Sequence, residues 1–160
     1  MAPPLRILFV CMGNICRSPA GENVMNHLLQ EQDCFGIAAC DSAGTIGYHA
    51  GSPPDQRMSQ TLESRGIHTQ GTSRKFQKAD YDNFDLILAM DSDNYRDILS
   101  LAPDESASKK VLMFCSYVKK YPDHDVPDPY YSGQDGFEYV VDLMLDGCQN
   151  ILNELKERSR

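Results

Sequence analysis

The sequence predicts an α/β fold in which a parallel sheet carries helices on both faces. Three observations support this: short apolar segments alternate with segments of helical periodicity, no long linker or low-complexity tract interrupts the 160 residues, and a long amphipathic segment closes the chain. A chain of this size buries most of its apolar surface in one unit, so a single domain over 1–160 is expected. No internal repeat is visible.

Leu5 to Val10, LRILFV, is largely apolar and β-rich, which predicts a buried first strand. Ser18 and Pro19 supply an N-cap hydroxyl and a first-turn proline, and Ala20, Val24 and Leu28 recur at fourfold spacing, predicting a first helix. Ile37 to Ala43 reads as a second strand, and Pro54 to Arg65 as a helix beginning at proline. Asp85 to Met90 is a third strand, followed by a short helix over Asp93 to Leu101. Val111 to Phe114 makes a fourth strand. Asp135 to Glu157 forms the closing helix, with Phe137, Val140, Val141, Met144, Cys148, Ile151, Leu152 and Leu155 on its core face.

The link between the first strand and first helix, VCMGNICRSP from Val10 to Pro19, carries the chemistry. Loop amides and a helix N-terminus converge there and can bind an anion with several oxygens. Cys11 ends the strand, where amides, the helix and a guanidinium equip a thiol to act as a nucleophile. Arg17, after five intervening residues, offers a planar pair of donors suited to phosphate oxygens. Gly13 and Asn14 tolerate unusual backbone angles, and the Ser18 hydroxyl suits either a helix cap or a bond to the Cys11 sulfur. A bare cysteine–arginine spacing is common by chance; the strand before it and the Ser-Pro after it are independent requirements that agree. Ligands in such sheets bind beyond the carboxyl ends of strands, where Cys11 and Asp91 both fall.

Cys11, Met12, Gly13, Asn14, Ile15, Cys16, Arg17, Ser18 and Pro19 together resemble the signature loop of the low-molecular-weight protein tyrosine phosphatases. The resemblance continues in order through Asp41 to Arg57, Ile87 to Asn94 and VPDPYY at Val126 to Tyr131. It implies a single-domain, Rossmann-like or flavodoxin-like fold with a four-stranded parallel sheet. It also implies hydrolysis of phosphotyrosine through a phosphocysteine, with Cys11 as nucleophile, Arg17 binding phosphate and Asp128 as general acid and base. Expelling a phenolate whose conjugate acid has a pKa near ~10 is slow unless its oxygen is protonated, so an acid is required. Asp128 lies between Pro127 and Pro129, which restrict its backbone. An aspartate flanked by prolines is otherwise an ordinary turn residue.

The same resemblance assigns the substrate pocket to Met12, Gly13, Asn14, Ile15, Cys16 and Ser18 of the loop, with Tyr48, Tyr130 and Tyr131 as aromatic walls. Asn14 and Ser42 match a hydrogen-bond network supporting the loop, but the family histidine expected near Gly71, three residues before Arg74, is missing. Cys16 is the expected redox partner of Cys11. The expected partners are phosphotyrosine proteins or peptides, and phosphate and oxyanion inhibitors; no cofactor and no metal are implied.

Composition bounds the alternatives. A net charge of −8 disfavours a nucleic-acid binder, and no apolar run approaches the length of a membrane span. The six cysteines are scattered without metal-site spacing, which suits a reducing, cytoplasmic setting and makes Cys34, Cys40, Cys115 and Cys148 core residues. The histidines read as surface residues. Arsenate reductases share the loop but need further cysteines after the third strand, and Tyr81 to Ala102 holds none. A non-catalytic phosphate-binding module is disfavoured by Cys11, Arg17 and Asp128 occurring together.

Overall fold

The computed structural model describes residues 3–158; the remaining residues of the expected 1–160 domain lie outside the described part. Four strands, β1 (Leu5–Cys11), β2 (Ala38–Gly44), β3 (Leu86–Ala89) and β4 (Val111–Met113), form one parallel sheet in the order β2-β1-β3-β4. Around it lie α1 (Arg17–Glu31), α2 (Gln56–Ser64), α3 (Asp80–Asn83), α4 (Ser92–Leu99), α5 (Glu105–Ser108) and α6 (Gln134–Arg158).

The pleat of β1 divides the core. Ile7, Phe9 and Cys11 face the layer of α1, α2 and α6, and Leu8 and Val10 join the cluster containing Tyr81, Ile98 and Ala107 from α3, α4 and α5. All five side chains are buried, so β1 must be apolar on both faces, as its sequence is. α1 comes so close to β1 that a Cβ on Gly21 would stand 2.6 Å from the Phe9 ring, which explains glycine inside a helix. Every residue of the expected core face of α6 is buried, as are Leu143, Asp146 and Gly147.

Element boundaries shift for identifiable reasons. Pro54 lies outside α2, which starts at Gln56 because the Asp55 carboxylate caps it, accepting from the Arg57 and Met58 amides. Asp91 caps α4 in the same way through the Asn94 amide, so that helix begins at Ser92. Phe114 leaves the sheet to open a 3-10 turn, Phe114–Tyr117, and packs its ring 6.1 Å from that of Phe9. The two four-residue helices α3 and α5 are too short to produce a periodic pattern and leave no mark in the sequence. Of the four cysteines expected in the core, Cys115 and Cys148 are buried, while Cys34 and Cys40 are half-buried at its edge.

The chain runs from β1 outward to β2 and then crosses to β3 on the other side of β1, so the order reverses between β1 and β3. The crevice beyond the carboxyl ends of these two strands is the expected ligand position. Cys11 ends β1, and Asp91 follows β3.

Candidate active site

A cavity of about 370 Å³ opens at that crevice, with Cys11, Cys16 and Arg17 deep in it and Tyr48, Asp128 and Tyr131 toward its mouth. The Cys11 Sγ receives the Asn14 backbone N–H at 3.3 Å and lies 3.0 Å from the Ser18 Oγ. Ser18 is therefore not the helix cap. α1 begins at Arg17 with Cys16 at the N-cap and no side-chain cap bond, and the buried Ser18 Oγ instead lies beside the sulfur and 3.4 Å from the Ala43 carbonyl.

Arg17 is buried at 4 % exposure. Its Nη1 donates to Asp91 Oδ2 at 2.6 Å and to the Val126 carbonyl at 3.1 Å, and its Nη2 lies 3.9 Å from Asp128 Oδ2. Burial works against the guanidinium charge, but Cys11, Asp91 and Asp128 outweigh it and hold the Arg17 pKa above its ordinary value. The Asp128 side chain is 42 % exposed and accepts the Tyr130 amide at 3.0 Å, an Asx turn set between two prolines. Cys16 is buried, and burial pushes its thiol well up from the ordinary value, with the Asp55, Cys11 and Asp128 charges adding to it.

The loop's support differs from the expected network. Asn14 adopts a left-handed backbone at φ 57°, donates through Nδ2 to Ser18 Oγ at 2.8 Å, and accepts the Arg74 amide on Oδ1 at 2.9 Å. Ser73 Oγ donates to the Gly13 carbonyl at 3.1 Å. Ser42 does not join this set; its hydroxyl donates to Glu22 Oε1 at 2.6 Å. Where the family histidine is expected, Gly71 sits at φ 116°, and a Cβ there would stand 3.6 Å from the Glu22 carboxylate. The Glu22 carboxylate thus lies beside this position. Its burial raises its pKa to about 7, against the lowering effect of the Ser42 hydrogen bond and Arg74.

Met12, Gly13, Ile15, Cys16, Tyr48, Tyr130 and Tyr131 all line the cavity, while Asn14 and Ser18 lie buried behind it. Tyr48 and Tyr131 are largely exposed rings at the rim. Tyr130 is fixed from below: the Arg57 guanidinium lies 5.0 Å from its ring centre and donates to its carbonyl at 2.8 Å, with Asp55 holding Arg57.

Several contributing residues were missed in the sequence. Asp91 falls at the expected strand end, and its bond to Arg17 gives it a role for which the sheet reversal is the only sequence signal. His49 lines the cavity beside Tyr48, not plain surface, with ring centres 4.9 Å apart, and Ile46 joins the rim. No sequence signal marked Arg57 or Ser73. Among the described residues, no helix is long and apolar enough to cross a membrane.

A family model for low molecular weight phosphotyrosine protein phosphatase matches residues 6–160. A Synechocystis protein provisionally named as a low molecular weight protein-tyrosine-phosphatase is 52% identical over 151 residues, covering 94% of this chain and 96% of its own. A crystal structure of a protein tyrosine phosphatase from Entamoeba histolytica, with Hepes in the active site, superposes with a TM-score of 0.92 at 41% identity, covering 98% of this chain and 99% of that one. A Drosophila arginine phosphatase superposes at 0.88 and 31% identity, covering 95% and 98%.

Proposed function

The chain belongs to the low molecular weight phosphotyrosine protein phosphatase family and is a protein-tyrosine-phosphatase, a hydrolase; on that premise we propose a two-step mechanism through a phosphocysteine. The Cys11 sulfur attacks phosphorus in line with the phenolic oxygen. The S–P bond forms as the P–O bond breaks, and Asp128 gives its proton to the departing phenol. Arg17 and the loop amides hold the charge spread over the transferring oxygens. Asp128, now a carboxylate, takes a proton from water as that water attacks phosphorus. The thiolate leaves with Ser18 Oγ as hydrogen-bond partner, and inorganic phosphate is released.

The observation that carries this reading is the convergence of three groups on one cavity: a sulfur that accepts a backbone N–H and lies 3.0 Å from a hydroxyl, a buried guanidinium, and a carboxyl 3.9 Å from that guanidinium. Tyr48, Tyr130 and Tyr131 favour an aromatic ring above the phosphate. Phosphate and tetrahedral oxyanions are accordingly expected to compete with substrate. Cys16, buried in the same core cluster as Cys11, is the thiol that would condense with a peroxide-generated Cys11 sulfenic acid, releasing water. The free cysteines suit a reducing, cytoplasmic setting, and the one continuous four-stranded sheet suits a single catalytic domain over 1–160.

The test is hydrolysis of matched peptides carrying phosphotyrosine, phosphoserine, phosphothreonine and phosphoarginine by the reduced protein. Preferential phosphotyrosine turnover supports the reading. Preference for phosphoarginine, the activity named for the Drosophila neighbour, overturns the substrate assignment.

A further inference from the structure

The segment bearing Asp128 is anchored by the phosphate loop, through Arg17 Nη1 donating to the Val126 carbonyl at 3.1 Å, and also at points that loop does not reach. Val126 is buried and donates its amide to the Met90 carbonyl at 2.8 Å. One residue earlier, Asp125 Oδ1 accepts two hydrogen bonds from Ser92, from its backbone N–H at 3.1 Å and its Oγ at 2.9 Å. Ser92 is the first residue of α4, and the residue before it, Asp91, is the carboxylate that holds Arg17. Consecutive residues at the start of one helix therefore support the phosphate-binding guanidinium and the acid-bearing segment.

We propose that Ser92 and Asp125 are positioning residues for the general acid, fixing the entry of the 125–128 segment so that the Asp128 carboxyl faces Arg17 and the Cys11 sulfur. Pro127 and Pro129 lock their own φ angles, which makes the segment stiff and transfers control of its direction to its ends. The far end is already held by Asp128 accepting the Tyr130 amide and by Arg57 donating to the Tyr130 carbonyl. The near end is held by Ser92 at Asp125, next to the Val126 bonds to Met90 and Arg17. Its hydroxyl bond to a carboxylate is charge-assisted, and the Asp125 charge sits favourably at the N-terminus of α4. Both residues are exposed, so the latch contributes little to folding stability. A displacement of about 1 Å at a reacting group costs about a hundredfold in rate, so the latch acts mainly on catalysis.

This inference rests on Asp128 being the acid, and the experiment separates the two claims. kcat/KM is measured for nitrophenyl phosphate and phenyl phosphate with the wild type, Asp128→Ala, Asp125→Ala, Asp125→Asn and Ser92→Ala. The first needs little protonation of its leaving group and the second needs much. Asp125→Ala is expected to lower kcat/KM about tenfold for phenyl phosphate and about twofold or less for nitrophenyl phosphate, with Ser92→Ala following the same pattern more weakly. Asp125→Asn retains the Oδ1 acceptor and restores most of the loss. Inhibition by inorganic phosphate is unchanged in all three. If Asp128→Ala shows no dependence on leaving group, the acid assignment falls and the latch with it. If Asp128→Ala shows the dependence while Asp125→Ala and Ser92→Ala do not, the latch is overturned and Asp128 stands.

Discussion

Arg17 Nη1 lies 2.6 Å from Asp91 Oδ2, joining the first helix after β1 to the residue capping α4 after β3. The pair closes the crevice where strand order reverses and aims a guanidinium that is otherwise enclosed by protein. Replacing Asp91 by Ala frees the guanidinium to turn away from the anion. We predict a fall in kcat/KM of about tenfold to a hundredfold together with weaker inhibition by inorganic phosphate. The loss is the same for nitrophenyl and phenyl phosphate, because Asp91 serves phosphate binding and not leaving-group protonation. Steady-state kinetics with both substrates checks this.

Asn14 holds the loop through its backbone and its amide together. Asn14→Ala places a Cβ-bearing residue without side-chain hydrogen bonds at φ 57° and removes the partners of Ser18 Oγ and the Arg74 amide. A stability loss of about 2–4 kcal/mol is expected in denaturant unfolding. Asn14→Gly relieves the backbone part and loses less, yet removes the same two hydrogen bonds. Equal losses in the two variants would show that the left-handed backbone carries no cost.

Gly71 defines a third expectation. Its φ of 116° is open to glycine and costly for any other residue, so restoring the family histidine at this position is predicted to destabilise the protein by about 1–3 kcal/mol. A raised melting temperature for Gly71→His would contradict the cost assigned to this backbone conformation.

Glu22 makes stability pH-dependent. Its carboxyl has a pKa of about 7 in the fold against 4.5 as the ordinary value, so between those values the folded chain binds more protons than the unfolded chain. The contribution is fully present below the ordinary value and is lost as pH rises through about 7. Glu22→Gln keeps an acceptor for Ser42 and removes the titration. The variant should gain up to about 3 kcal/mol on the wild type as pH is raised from 5 to 8, read from unfolding curves across that range. Parallel curves would refute it.

The sequence was most legible where one requirement repeats along the chain. The apolar run of β1 and the core face of α6 could be read because each residue repeats the same burial demand. Cys11 and Arg17 stand out in the sequence because a strand, a glycine-containing loop and a helix start agree around them, whereas Asp128 is singled out by the family resemblance of its segment, since a proline-bounded aspartate alone reads as a turn. Contacts made by a single side chain across long sequence separations were not readable. The Ser18 hydroxyl suits a cap as well as a sulfur, and only packing places it beside Cys11. Ser42 finds Glu22 and not Asn14 because β2 runs beside α1 there, and Arg57 under Tyr130 joins residues 73 positions apart. Short helices such as α3 are held by a few tertiary contacts, including Tyr81 OH to the Ile98 carbonyl, and carry no periodic mark.

The central claim is that Cys11 carries the phosphoryl group between substrate and water. Acid quenching during turnover of a phosphotyrosine peptide, followed by mass spectrometry of the fragment containing Cys11, tests it most directly. The account predicts one phosphoryl group on Cys11 in the wild type, with no phosphorylation of this fragment and no turnover in Cys11→Ser. Sustained phosphotyrosine turnover by Cys11→Ser would contradict it.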